Sequence, residues 1–148
     1  MKKMIPFILF IFVIFLAQSV SAQVINVPSK SQKHFGDKYP DAKNVEWSNN
    51  VAYYIARFTI NDEKYRARYH INGNWDFTEK ESDLTKFPAD VQTSLTKSRF
   101  SDWKVESAAT VENKKKEHLY RIEVSKGIEK KYIFFDEHGK EIKSNMTI

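Results

Sequence analysis

The chain has 148 residues, 41% of them hydrophobic and 29% charged, with a formal charge of +5 and no cysteine. Disulfide frameworks, thiol nucleophiles and cysteine-bound metals are therefore excluded. The charge is a small excess over a mixed surface, 24 basic against 19 acidic residues, and not the concentrated basicity of a nucleic-acid binder.

The first element in chain order is a leader. Lys2 and Lys3 precede an apolar run over residues 4–17, which is followed by Gln18, Ser19, Val20, Ser21 and Ala22. A basic start, a short apolar segment and small residues at its end predict a secretory signal peptide over residues 1–22, with Val20 and Ala22 at the −3 and −1 positions. The run is shorter than the roughly 20 residues a spanning helix needs, and no cysteine follows it to carry a lipid. Cleavage removes Lys2 and Lys3, lowers the charge from +5 to +3, and leaves a single domain at 23–148. Such a chain buries roughly two-thirds of its unfolded surface, so packing alone can hold an exported fold without disulfides.

Pro28-Ser29 starts a short helix carrying Phe35 and Tyr39, and Pro40 ends it. Period-two alternation then predicts strands at 44–48, 52–60, 64–71, 103–111, 118–126 and 130–136. Asn61-Asp62, Asn72-Gly73 and His138-Gly139 supply turns, and Asn72-Gly73 reads as a type I′ hairpin. Glu79, Glu81 and Asp83 read as a polar linker before a second helix opened by Phe87-Pro88, with Val91 and Leu95 on one face. The lysines at 114–116 read as a solvated loop tip.

The chain also repeats itself. YIARFTINDEKYRARYHINGNW from Tyr54 aligns without a gap on YRIEVSKGIEKKYIFFDEHGKE from Tyr120 at a constant offset of 66. This predicts an α+β fold with one antiparallel sheet built from two tandem helix–β–β–β units, at about 31–77 and 84–142, and helices on one face. The even offset preserves side-chain direction. The inward face then carries Tyr54, Ala56, Phe58, Ala67 and Tyr69 in the first unit, matched by Tyr120, Ile122, Val124, Ile133 and Phe135 in the second. Trp47 and Trp103 belong to the core, the latter alternating with Val105, Ala109 and Val111.

The outward face mixes basic, aromatic and aliphatic groups, the composition of a protein recognition surface. Its candidate partner-binding residues are Tyr53, Ile55, Arg57, Arg66, Arg68, Tyr132 and Phe134, with Trp75 added as a partly exposed aromatic after the turn. Catalytic chemistry finds no support. There is no GxSxG elbow or phosphate-cradling glycine loop. His34, His70, His118 and His138 lack metal-ligand spacing, and no cofactor is implied.

YPDAKNVEW (39–47), YYIARF, INGNW followed by Thr78-Glu79, FPADV, FSDWKV and YIFFDEHGKE together resemble the PepSY-like family of β-lactamase-inhibitor-like exported proteins, frequent in Bacteroidota. The resemblance covers roughly residues 35–142. It implies a fold like that of β-lactamase inhibitory protein, with short helices on one face of an antiparallel sheet and the other face concave. It also implies a periplasmic setting and a non-catalytic, binding or inhibitory role. The inhibitory protein relies on disulfides, which this chain cannot form.

The expectation is a secreted or periplasmic binding protein whose open sheet face meets a protein or peptide partner, without nucleic acid or a membrane once the leader is removed. Two other readings stand beside it. One is a small-ligand protein of the cystatin-like or NTF2-like kind, with a pocket in the curved sheet. The other is a homodimer joined through the same open face.

Overall fold

The computed structural model describes residues 25–115 and 117–143; the signal peptide expected at 1–22 lies outside the described residues. Two helices, α1 (Ser29–Lys38) and α2 (Ala89–Lys97), and a 3-10 turn at Leu84–Lys86 accompany seven strands. The strands are β1 (Lys43–Asn49), β2 (Tyr53–Ile60), β3 (Glu63–His70), β4 (Trp75–Ser82), β5 (Lys104–Asn113), β6 (His118–Lys126) and β7 (Glu129–Phe135). They form one antiparallel sheet in the order β1-β2-β3-β4-β5-β6-β7, so each strand pairs with its neighbours in sequence.

The helices form where sequence punctuation places them. Pro28 and Pro88 occupy the N-caps, each with extended ψ, and Tyr39 closes α1 by donating its backbone N–H to Phe35 O. Each helix covers its own half of one sheet face. Phe35 and Tyr39 pack on Ala56, Phe58, Ala67 and Tyr69. Val91 and Leu95 pack on Ile122, Val124, Ile133 and Phe135. The alternation that predicted the inward face therefore holds in both halves.

β4 is the main correction. The segment expected as a polar linker is the central strand of the sheet, and Glu79 on it is only 4% exposed. The first half thus contains a helix and four strands, not three. Two β-bulges also redirect side chains. The bulge opposite Arg68 and Tyr69 puts Trp75 beside Tyr69 on the helix-covered face, while Phe77 faces Arg68 on the open side. The bulge between Val105 and Ser107 puts Ala108 on the helix face and sends Ala109 and Val111 to the open one. Val111 joins Phe77, Leu119 and Phe134 in a third apolar cluster there, covered by Ile142.

The turns differ from expectation as well. The type I′ geometry belongs to Asn61-Asp62, where both residues take positive φ, 52° and 64°. At Asn72-Gly73 only Gly73 is left-handed, at 83°. His70 instead accepts from Gly73 N–H at 2.8 Å and donates its N–H to Asn74 O at 2.8 Å. This is a three-residue loop. The same loop recurs 66 residues on, where Asp136 accepts from Gly139 N–H and donates to Lys140 O. The pairing beyond the loop recurs too. Tyr69 faces Trp75 at the start of β4, and Phe135 faces Glu141 in a single bridge.

Candidate functional site

Helices leave the second sheet face uncovered. Across its middle lies an open trough of about 490 Å³, bounded by Arg57, Lys64, Arg66, Arg121, Glu123 and Tyr132. Its floor is low because β5 contributes Ser107 and Ala109 there, the smallest side chains on this face of the central strands.

A chain of polar contacts spans the trough. Arg66 on β3 donates from Nε and Nη2 to Glu79 Oε2 on β4, with the Nε contact at 3.0 Å. Arg121 on β6 brings its Nε within 2.8 Å of Glu79 Oε1, an ion pair out of line for a hydrogen bond. Arg121 Nη1 also donates to Ser107 Oγ at 3.3 Å, Ser107 donates to Glu123 at 2.9 Å, and Lys130 Nζ reaches Glu123 at 3.2 Å. Burial pushes the Glu123 carboxyl up, but the hydrogen bonds from Ser107 and Lys130 and the charge of Lys130 outweigh it and hold it below the ordinary carboxylate range. Two guanidiniums thus share one buried carboxylate. This compensates the desolvation of all three groups and fixes their positions more than it stabilises the fold.

The predicted site residues fall into three groups. Arg57, Arg66 and Tyr132 line the trough, and Tyr132 remains 40% exposed at its rim with the Arg121 guanidinium 5.4 Å from its ring. Tyr53, Ile55 and Arg68 lie on the same face toward the β1–β2 and β3–β4 turns. Arg68 is 6% exposed, held between the rings of Tyr53 and Phe77 at 4.2 and 4.3 Å and paired with Asp76 at 2.6 Å. Phe134 is 4% exposed inside the third apolar cluster, so its surface is consumed within the molecule.

Trp75 stands apart from all of these. Its ring stacks on His34 of α1 at 5.5 Å, and its Nε1–H donates to Thr78 Oγ1 at 2.9 Å. Thr78 also bonds the Tyr39 hydroxyl. Burial and the neighbouring Lys38 hold the His34 pKa below its ordinary 6.5. Glu79, the pivot of the site, was missed by sequence reasoning. Its signal was the alternation of Phe77, Glu79 and Glu81, which charge disguised.

An antiparallel seven-stranded platform with helices on one face and a charged trough on the other defines a class of α+β protein in which the bare sheet face is available. No protein-family model matches the chain, and no curated protein is similar to it. Solved structures share its fold. A candidate periplasmic protein from Bacteroides eggerthii is 26% identical with a TM-score of 0.68, over 80% of this chain and 88% of that one. A DUF2874 family protein from Bacteroides ovatus is 24% identical with a TM-score of 0.69, over 80% and 86%. A BLIP-like protein from Bacteroides fragilis is 22% identical with a TM-score of 0.66, over 82% and 86%. Among the described residues no helix is long and apolar enough to cross a membrane.

Proposed function

We propose that this is an exported, non-enzymatic binding protein that meets a protein or peptide partner through the trough on its open sheet face. The observation that carries the reading is the trough itself, which places exposed Arg57, half-exposed Tyr132 and the fixed Arg66–Glu79–Arg121 network in one concavity. Aromatic and arginine side chains around a shaped depression are the usual anchors of protein interfaces.

The periplasmic description of the Bacteroides eggerthii structure supports an exported setting, in line with a leader cleaved after Ala22. The PepSY-like assignment and an inhibitory role analogous to that of β-lactamase inhibitory protein belong to the same reading, as do a partner other than nucleic acid and a soluble mature chain. The recurrence of the hairpin loop and its bridge 66 residues apart supports descent from two tandem units, each a helix and four strands, the last cut to a bridge at Glu141.

A small-ligand reading gains the volume of the trough, which is in the range of ligand sites. It is weakened because the trough is open along its length and Tyr53 does not line it. Photo-crosslinkers at Tyr132 and, on the helix side, at Lys33 test the proposal in cells exporting the protein. A discrete protein adduct from position 132 and none from 33 supports it. Equal adducts from both, or none from 132, overturns it, and an adduct of twice the chain mass identifies the homodimer.

A further inference from the structure

Arg57 on β2 and Arg66 on β3 are direct cross-strand partners. Like charges in this relation repel, unless something neutralises both. Arg66 is neutralised by Glu79. Glu79, however, is shared with Arg121, so one carboxylate already serves two guanidiniums. Arg57 is exposed and, among the described residues, donates only to Ser48 Oγ, at 2.9 Å. Glu46 is its register partner on β1 but lies beyond ion-pair distance. Further along the wall, Lys64 has only a long contact, 3.6 Å, to the exposed Glu81. The trough is therefore lined by four cations, Arg57, Lys64, Arg66 and Arg121, against three carboxylates, Glu79, Glu81 and Glu123. The surplus is concentrated at the β2–β3 wall.

From this juxtaposition we infer that the trough takes an extended peptide segment with one acidic side chain, an aspartate or glutamate whose carboxylate Arg57 receives while the peptide backbone runs on across Ala109 toward Tyr132. The inference rests on the proposed use of this face for a peptide or protein. A guanidinium with one N–H engaged retains a fork of donors that matches a carboxylate in the plane. Arg66 and Arg121 are already committed to Glu79, so Arg57, exposed and bonded among the described residues only to Ser48, is the arginine of the trough best placed to receive a carboxylate. The site therefore selects one carboxylate in a defined position. It does not offer the distributed basic surface that a polyanion requires.

A displayed library of random twelve-residue peptides, selected on the mature protein and on Arg57→Gln, tests this. Arg57 is exposed and contacts only a hydroxyl, so the variant leaves the fold intact. The expected result is a consensus with aspartate or glutamate at one position on the wild type, lost on Arg57→Gln. A synthetic consensus peptide should weaken about tenfold when its acid is replaced by the amide, or when Arg57 is replaced. An apolar or basic consensus, an acidic consensus unchanged by Arg57→Gln, or tighter binding of single-stranded DNA than of the peptide overturns the inference. A neutral consensus that is lost on Tyr132→Ala sinks only the acidic selectivity and leaves the peptide-binding face in place. No consensus, together with no crosslink from position 132, sinks both.

Discussion

Glu79 and Arg121 belong to β4 and β6, yet their side chains meet at 2.8 Å above the strand that separates them. They do so because Ala109, the register partner of Arg121 on β5, has no side chain long enough to intervene. Both partners are almost fully buried. Removing one partner leaves an uncompensated charge. Glu79→Gln should therefore destabilise the protein by about 3 kcal/mol, toward the lower end of such losses because Arg66 can swing into solvent. Equilibrium urea unfolding should show a lower midpoint at unchanged slope. Replacing both Glu79 and Arg121 with methionine should recover most of the loss.

Thr78 couples the helix-side aromatics. Its hydroxyl accepts from Trp75 Nε1 and bonds the Tyr39 hydroxyl, whose pKa burial pushes far above its ordinary value against the opposing pull of the Thr78 contact. Thr78→Val keeps the shape and strands two buried polar groups. The expected cost is about 1–3 kcal/mol, with a shifted tryptophan emission reporting the altered Trp75 environment.

His34 should give the fold a pH dependence near neutrality. Burial lowers its folded pKa below 6.5, so the unfolded chain takes up the proton first as pH falls. The stability it contributes is complete above pH 6.5 and is lost as pH falls through the lowered folded value. Thermal midpoints measured from about pH 8 to about pH 5.5, where ordinary carboxylates remain ionised, should decline in the wild type. His34→Phe keeps a ring against Trp75 and should flatten that decline.

Gly139 and Gly127 separate two reasons for glycine. Both have positive φ, 75° and 61°. A Cβ at Gly127 would meet nothing, whereas at Gly139 it would lie 2.5 Å from Asp90 O and Ser94 Oγ of α2. Gly127→Ala should cost about 1 kcal/mol from backbone strain alone. Gly139→Ala should cost clearly more and displace α2, visible as loss of amide protection around Val91 and Leu95.

The inward faces of β2, β3, β6 and β7 were legible because apolar residues alternate there and both helices cover them. β4 was not, since a central strand is recognised by apolar alternation and this one carries a glutamate whose burial depends on arginines from two other strands. Phe134 looked like an exposed recognition residue for a related reason. No local pattern says that Phe77, Leu119 and the segment at Ile142 will cover it. Trp75 was misplaced by a bulge, which adds one residue and so exchanges the faces of everything before it. Arg57, Arg66 and Tyr132 kept their predicted positions because β2, β3 and β7 are regular across the trough.

The strict sequential order of the strands has a kinetic consequence. Six pairings hold the sheet together, and five of them join strands separated only by tight turns. Such contacts close quickly because little chain entropy is lost in making them. The β4–β5 pairing must wait for the intervening segment, which contains α2, to fold back. That single closure sets the pace at which the two halves become one molecule. A chain with no cysteine to lock intermediates gains from having only one such long-range closure, and lengthening the 98–103 connection should retard refolding while leaving the unfolding rate nearly unchanged.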